Sequence, residues 1–335
     1  MTRWHFTSFR SQTGLTLVEL MVALAIGSFL IIGAVQIYNQ SRQAFIVNES
    51  VARVQETVQF AMDTIEADLR MASNWGRNSR GLAVEGRSVT ANPNPLGLPA
   101  PVECGADWAL NLALPVDGDN NAYGLLCAAT GGAQANSDVV TIRRASVNPV
   151  PVDASRLQLQ TTRIQGRLFN DVVVPADFTP VTIDPITGAP SSTTHNLMVN
   201  SYYVSPTSEL IPGVPTLRRH VLTTRNGAPF IEDQEVAPGV ENIQLQLGID
   251  VDRDNTVDRY VNPGDPIYDP FALGYVPGAR VLTVRVWLVV RGVTPEFGIQ
   301  DTRNYQPGDV ALGTPNDGFR RMQVSKTILL RNQRI

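Results

Sequence analysis

Gly14-Leu15-Thr16-Leu17-Val18-Glu19-Leu20 decides how this chain is read. It lies where a short basic leader, with Arg3, His5 and Arg10 and no acid, meets an apolar run that carries no charge from Leu20 to Ser41. About 20 such residues cross a hydrocarbon core of about 30 Å, so the run is long enough to span a bilayer. Arginines on its N-terminal side predict that this end stays cytoplasmic and that the remainder is exported. Glu19 sits at the edge of the run. An acid at a bilayer centre costs about 2.5–3.5 kcal/mol, so such a group needs a partner.

An ordinary secretory signal places its small-residue cut after the apolar core. Here the small residue, Gly14, comes first, so a cut after it removes only the leader and leaves an ammonium on Leu15, four residues before Glu19. This order of basic leader, glycine, glutamate and apolar run resembles the prepilin cleavage site of type IV pilins and type II secretion pseudopilins. Leu15 departs from the Phe that major pilins usually carry. The resemblance implies cutting between Gly14 and Leu15 by a prepilin peptidase, N-methylation of Leu15, and pairing of Glu19 with the ammonium of a neighbouring subunit. The competing reading is a plain signal anchor that stays uncut.

The helix is expected to continue past the membrane. Val47, Val51, Val54, Val58, Ala61, Ile65 and Leu69 recur at spacings of three and four, one face of an α-helix. Asn48, Glu49, Arg53, Gln55, Glu56, Gln59, Asp63, Glu66 and Arg70 form the opposite, wet face. The apolar stripe is either a coiled-coil seam or a surface that packs on a globular head. Asn74, Trp75 and Gly76 are expected to close the helix, with Gly76 near its C-terminal cap.

With 43% hydrophobic and 17% charged residues, the 335-residue chain is not disordered. Net charge is −4, and losing Arg3 and Arg10 makes the remainder more acidic still, so nucleic-acid binding is not expected as a bulk property. Seven segments rich in Val, Ile, Leu, Thr and Tyr read as strands: 138–143, 156–162, 196–204, 216–223, 240–249, 280–290 and 322–330. In two of them the pattern alternates. Ile243, Leu245, Leu247 and Ile249 share one face, as do Leu282, Val284, Val286, Leu288 and Val290, with Arg285, Trp287 and Arg291 opposite. Period two with one polar face predicts an antiparallel sheet buried on one side. Long connections rich in Pro and Gly cover 92–101, 175–190, 206–215, 263–277 and 295–315. The expected fold class is therefore α+β: a long N-terminal transmembrane and amphipathic helix packed on a large, loop-rich antiparallel β-sheet head. Its divisions are a leader at 1–14, a membrane or filament-core half-helix at 15–38, an amphipathic half at 39–75 and an exported head at 76–335.

Cys104 and Cys127 are the only cysteines. An exported chain meets an oxidising compartment, so the two are expected to pair. Zinc binding is not expected, because neither the CxxC spacing nor a nearby His is present in sequence. Asp250, Asp252, Asp254 and Asp258 alternate through a turn-like stretch, with the Thr256 carbonyl between them. Calcium takes six to eight oxygens at about 2.3–2.6 Å. The pattern looks like a DxDxDG calcium loop in which Asn255 replaces the Gly, a residue that also tolerates left-handed backbone. Position twelve is Val261 and supplies no carboxylate. The alternative is a solvated acidic hairpin between 240–249 and 257–261. Asp117-Gly118-Asp119-Asn120-Asn121 is a second acidic stretch.

The segment from Pro229 to Leu245, leading into the Asp250 loop and preceded by Arg218-Arg219-His220, resembles the C-terminal region of PilW-type minor pilins. Residues 77–195 resemble nothing we can name. The resemblance at both ends implies a minor pilin in type IV pilus assembly or initiation, at or near the filament tip. Its partners would be the prepilin peptidase, other minor and major pilins and, before assembly, the inner membrane, with the head in the periplasm and later at the surface. The J pseudopilin of type II secretion is similar in plan. A third reading is a membrane-anchored, calcium-dependent adhesin that never assembles. No nucleophile elbow, HExxH motif or P-loop occurs, and His195 and His220 sit in strand-like runs, so no enzyme and no required cofactor are expected.

Overall fold

The computed structural model describes residues 14, 16–178, 188 and 191–334. One helix, α1 (Leu17–Met71), opens the chain. Twelve strands follow among the described residues: β1 (Val84–Glu85), β2 (Val116–Asp119), β3 (Val139–Ala145), β4 (Gln158–Thr161), β5 (Gly166–Phe169), β6 (Thr193–Ser205), β7 (Thr216–Arg225), β8 (Ala228–Pro238), β9 (Val240–Asp250), β10 (Arg259–Val261), β11 (Arg280–Arg291) and β12 (Arg321–Leu329). The chain divides into two compact units, 1–52 and 53–335.

In the first unit the helix is bare. Leu17 and Phe29 are each 76% exposed and Ile37 is 69% exposed. A helix apolar all round, with no protein against it, is the pattern of a segment whose solvent is lipid or other helices. It is long and apolar enough to cross a membrane. Gly27 and Gly33 find no atom within 4 Å of where a Cβ would stand. Each weakens a helix by about 1 kcal/mol relative to Ala, and nothing inside this unit requires either.

In the second unit the remainder of α1 is packed. Val54, Val58, Ala61, Met62, Ile65 and Leu69 are buried and share a core with β9, β11 and Ile328, and with Tyr202, Val204 and Leu217 of the other sheet. The stripe is thus a head-packing face. Glu66, expected on the wet face, is instead buried, held by Lys326 of β12 and Arg70. The helix ends at Met71 rather than near Gly76, because Ser73 takes the left-handed conformation (φ 62°) that terminates it.

Two sheets make the head. One has eight strands in the order β1-β5-β4-β6-β3-β2, with β7 on β6 and β8 on β7; the other runs β10-β9-β11-β12. β6 is 13 residues long and pairs with β4 through its first half and with β7 through its second, so it carries the large sheet. All pairings are antiparallel except the short β1–β5 ladder, so that sheet is mixed. A second core, including Trp75, Leu110, Leu112, Leu159, Leu168, Leu197 and Val199, covers its other face. Leu197 and Val199 point into this core while Tyr202 and Val204 point to the first, which fits the period of two. On β11, Arg285 lies 4.0 Å over the Tyr260 ring, and Gly308 packs close to Trp287, so the arginine face is covered by β10 and by the 292–320 segment. That segment is tied down by ion pairs, Arg320 to Glu296 at 3.0 Å and Arg321 to Glu241 at 2.6 Å and to Asp317. Most of the 175–190 connection lies outside the described residues.

Asp68 joins α1 to β6 and β3. One carboxylate oxygen accepts from Arg144 at 2.9 and 3.1 Å, the other from Asn200 and Tyr202, each at 2.6 Å. Leaving a buried charge without its partner costs about 3–5 kcal/mol. Asp68→Ala, which strands the Arg144 guanidinium, is expected to lower the unfolding free energy by about that much in urea titration. Asp63→Ala on the exposed face is expected to change it by no more than about 0.5 kcal/mol.

Candidate functional sites

Three groups of residues carry the chemistry anticipated from the sequence. The first is the start of α1. Gly14 is exposed and has open space where a Cβ would project, so no packing demand among the described residues explains a glycine there. Leu15 lies outside the described residues. The Thr16 N–H and hydroxyl both donate to the Glu19 carboxylate at 2.9 Å, and the Glu19 N–H donates back to the Thr16 hydroxyl at 3.3 Å. This is a capping box, built from Thr at the N-cap and Glu three residues on. It was not anticipated from the sequence, although the Thr16-x-x-Glu19 spacing carries the signal. The acid therefore has a partner inside its own subunit.

The second is the acidic turn between β9 and β10. Carboxylate oxygens of Asp250, Asp252 and Asp254 lie within 4.8 Å of one another. Asp250 is fully buried, while Asp252 and Asp254 are exposed. The Asn255 N–H donates to Asp250 at 3.1 Å, and Asn255 has φ 68°, the left-handed backbone expected of it. The Thr256 N–H and hydroxyl turn toward Asp254, and Asp258 accepts the Val251 N–H at 2.7 Å. Arg280 of β11 was not foreseen. Its guanidinium donates to Asp250 at 2.8 and 3.1 Å. Burial pushes the Asp250 carboxyl up, but Arg280 and the N–H groups of Arg253 and Asn255 outweigh it and hold the group below its usual value. The loop thus already contains one cation of its own, on its innermost carboxylate. The other acidic stretch, 117–121, is tied differently: Asn120 and Asn121 donate to Asp309 and the Asn121 N–H donates to Asp138. Burial raises the Asp138 carboxyl to about 7.

The third group surrounds the cysteines. Cys104 and Cys127, 23 positions apart, form a disulfide that belongs to the second core. His220 of β7 lies beside it, with a ring nitrogen within 4.8 Å of both sulfurs. Tyr123 bridges the two elements. Its hydroxyl donates to the Cys127 carbonyl at 2.7 Å and lies 2.8 Å from His220 Nε2. Tyr203 stacks on the imidazole, with centroids 5.0 Å apart, and donates its hydroxyl to Asp233, which Arg218 holds at 3.0 Å. Burial pulls the His220 imidazole below its ordinary value. His195 plays the structural part expected of it, between the Ser146 carbonyl and Thr193.

An apolar helix bare within its own unit, continued by a stretch of α1 packed on a sheet head within the other, fits the plan of a pilin-like subunit. Residues 9–35 match the family described as Prokaryotic N-terminal methylation motif, and residues 201–332 match Type IV Pilus-assembly protein W. Together the two matches support a type IV pilus minor pilin of the W type. The second spans β7 to β12 and the acidic turn, and the first spans Gly14, Leu15 and Glu19. A type IV-like pilin from Thermus thermophilus is similar over 59% of this chain and 80% of its own, at 15% identity and a TM-score of 0.28. A search of curated proteins found no match.

The disulfide closes a loop for which chain entropy gives about 3 kcal/mol. Cys104→Ser, or reduction of the wild type, is expected to lower the urea midpoint by a corresponding amount. The sheet circular dichroism should be retained, since domains of this kind hold about 5–15 kcal/mol.

Proposed function

We propose that this chain is a minor pilin that enters type IV pilus assembly or initiation, at or near the filament tip, after a prepilin peptidase cuts between Gly14 and Leu15. The observation that carries the reading is the unpartnered apolar helix that directly follows a motif with the glycine before it. Leu17, Phe29, Leu30 and Ile37 have no protein against them within their own unit. In water such a surface costs about 25 cal/mol per Å². The membrane supplies a solvent for it before assembly, and the helices of neighbouring subunits supply one afterwards.

On this reading residues 1–14 are lost, 15–38 lie in the inner membrane and then in the filament core, and 39–75 carry the helix into the head. The head, 76–335, waits in the periplasm and reaches the surface with the filament. Other minor and major pilins are its partners through the helix. The capping box supports a sequence of events at Glu19. Cleavage leaves the Thr16 N–H and hydroxyl untouched, so the acid keeps its local hydrogen-bond donors while the subunit is alone. A neighbour's methylated ammonium then offers a full positive charge, and opposite charges in a dry core cost far less together than apart. Glu19→Ala is expected to leave the cut intact while filament initiation falls. Sequencing the mature N-terminus and counting pili check this. Normal piliation removes the Glu19 mechanism, and a native chain that still begins at Met1 removes the pilin reading and leaves a tethered binding module. Co-purification with secretion components instead of pilus components selects the pseudopilin.

The Asp250 turn is proposed as a calcium site of this head, with Asp250, Asp252, Asp254, the Thr256 carbonyl and Asp258 as its oxygens. The convergence of three carboxylates supports it, and Arg280 opposes it by holding the same charge. Isothermal titration of the full chain is expected to give calcium heat that Asp252→Ala abolishes and Arg280→Gln strengthens. Absence of heat in both the wild type and Arg280→Gln sinks the site.

A further inference from the structure

The fold places three metal-ligating side chains together that the disulfide alone does not need. Cys104, Cys127 and His220 are each buried, and their ligand atoms lie within 4.8 Å of one another. His220 is 93 residues beyond Cys127 in the chain and comes to it through β7, the second strand of the β6–β7–β8 branch. Its ring is held in place rather than merely buried: Tyr203 stacks on it at 14° between planes, and Tyr123 meets Nε2. The Tyr123 hydroxyl is also 3.7 Å from Cys127 Sγ, so a fourth polar group borders the same space.

We propose that the reduced chain holds a thiophilic divalent cation, zinc being the type, between Cys104, Cys127 and His220, and that forming the disulfide evicts it. Two thiolates and one imidazole are a recognised zinc set, with a fourth position open to water or to Tyr123. Zn–S at about 2.3 Å and Zn–N at about 2.0–2.1 Å give a tetrahedron whose edges fall inside the observed reach once the sulfurs are free to part. The charges also close. Reduction by an external dithiol breaks the Cys104–Cys127 bond, leaves two thiols and converts the dithiol to its own disulfide. Cation binding releases both thiol protons, so two thiolates balance the 2+ charge. In the opposite direction a disulfide oxidant accepts two electrons from the thiolates and two protons from water, becomes a dithiol, and the cation leaves. His220 serves the site neutral, the state that burial favours at neutral pH. The cation would keep the 105–126 loop stapled to β7 in a chain whose thiols are not yet joined, and protect those thiols from other partners.

The test uses the full chain in detergent, reduced with a phosphine and freed of it without air, with cobalt as the spectroscopic probe and zinc as competitor. The reduced wild type is expected to take one equivalent of cobalt, with thiolate-to-metal charge-transfer and tetrahedral d–d bands that zinc abolishes, while the oxidised chain takes none. His220→Gln and, independently, Cys104→Ser are expected to weaken binding by at least about tenfold, the lower end of what even an outer-shell change costs. The proposal is overturned if the reduced wild type gives no such bands, if His220→Gln binds as tightly as wild type, or if the reduced chain loses its sheet circular dichroism.

Discussion

An acid on α1, satisfied by three residues of the large sheet, sets how the helix seats on the head. Asp68, largely buried, faces Arg144, Asn200 and Tyr202, and these donors come from β3 and β6. Hydrophobic burial is non-directional and would let the helix slide along the sheet by a turn. A carboxylate with two oxygens committed to separate donors tolerates no such shift, because every register but one leaves a guanidinium or a carboxylate unpaired. Lys326, the only lysine in the chain, makes a similar tie from β12 to Glu66. Between them the two pairs fix α1 against both sheets. The apolar stripe from Val54 to Leu69 supplies the bulk of the attraction, and the buried charges select the alignment.

Much of this was readable in advance, and the physical reasons for what was not are specific. The strands with strict alternation, β9 and β11, were placed to within a residue or two because a half-buried surface imposes its period on the sequence. β8 was not separated as a strand, since Glu232, Asp233, Gln234 and Glu235 interrupt its apolar positions. Asp233 and Glu235 meet Arg218 across the ladder. Glu66 was misplaced for the same kind of reason: helical periodicity sorts side chains by polarity, and a buried acid with its own cation breaks the sort. β1, β2 and β5 are too short to carry any pattern.

The sites divide along the same line. The start of α1 is a local feature, and its capping box lies wholly within four residues, so both its chemistry and its structure are present in the sequence. The acidic turn was local in its carboxylates but not in Arg280, which arrives from a strand thirty positions on and changes the charge of the whole loop. His220 beside the cysteines had no local signal at all. Its neighbours in sequence are those of an ordinary strand, and only the pairing of β6 with β7 brings it to the disulfide.

On the proposed function, one helix must satisfy two opposed demands. The first half has to remain without protein partners, so that lipid can be exchanged for other helices at little cost; any specific internal contact there would have to be broken on assembly. The second half has to be immobile, because a force applied through the filament core reaches the head only through α1. The distribution of polar groups follows from this. Between Leu20 and Ser41 the chain carries no charge that could bind it to its own head, and Glu19 is kept quiet by a threonine one turn away. At the other end of α1, Glu66 and Asp68 are buried and each is paired with a cation. On that proposal, the passage from a bare apolar helix to one pinned by Asp68 and Glu66 is the feature by which a membrane-held subunit would become a mechanical element.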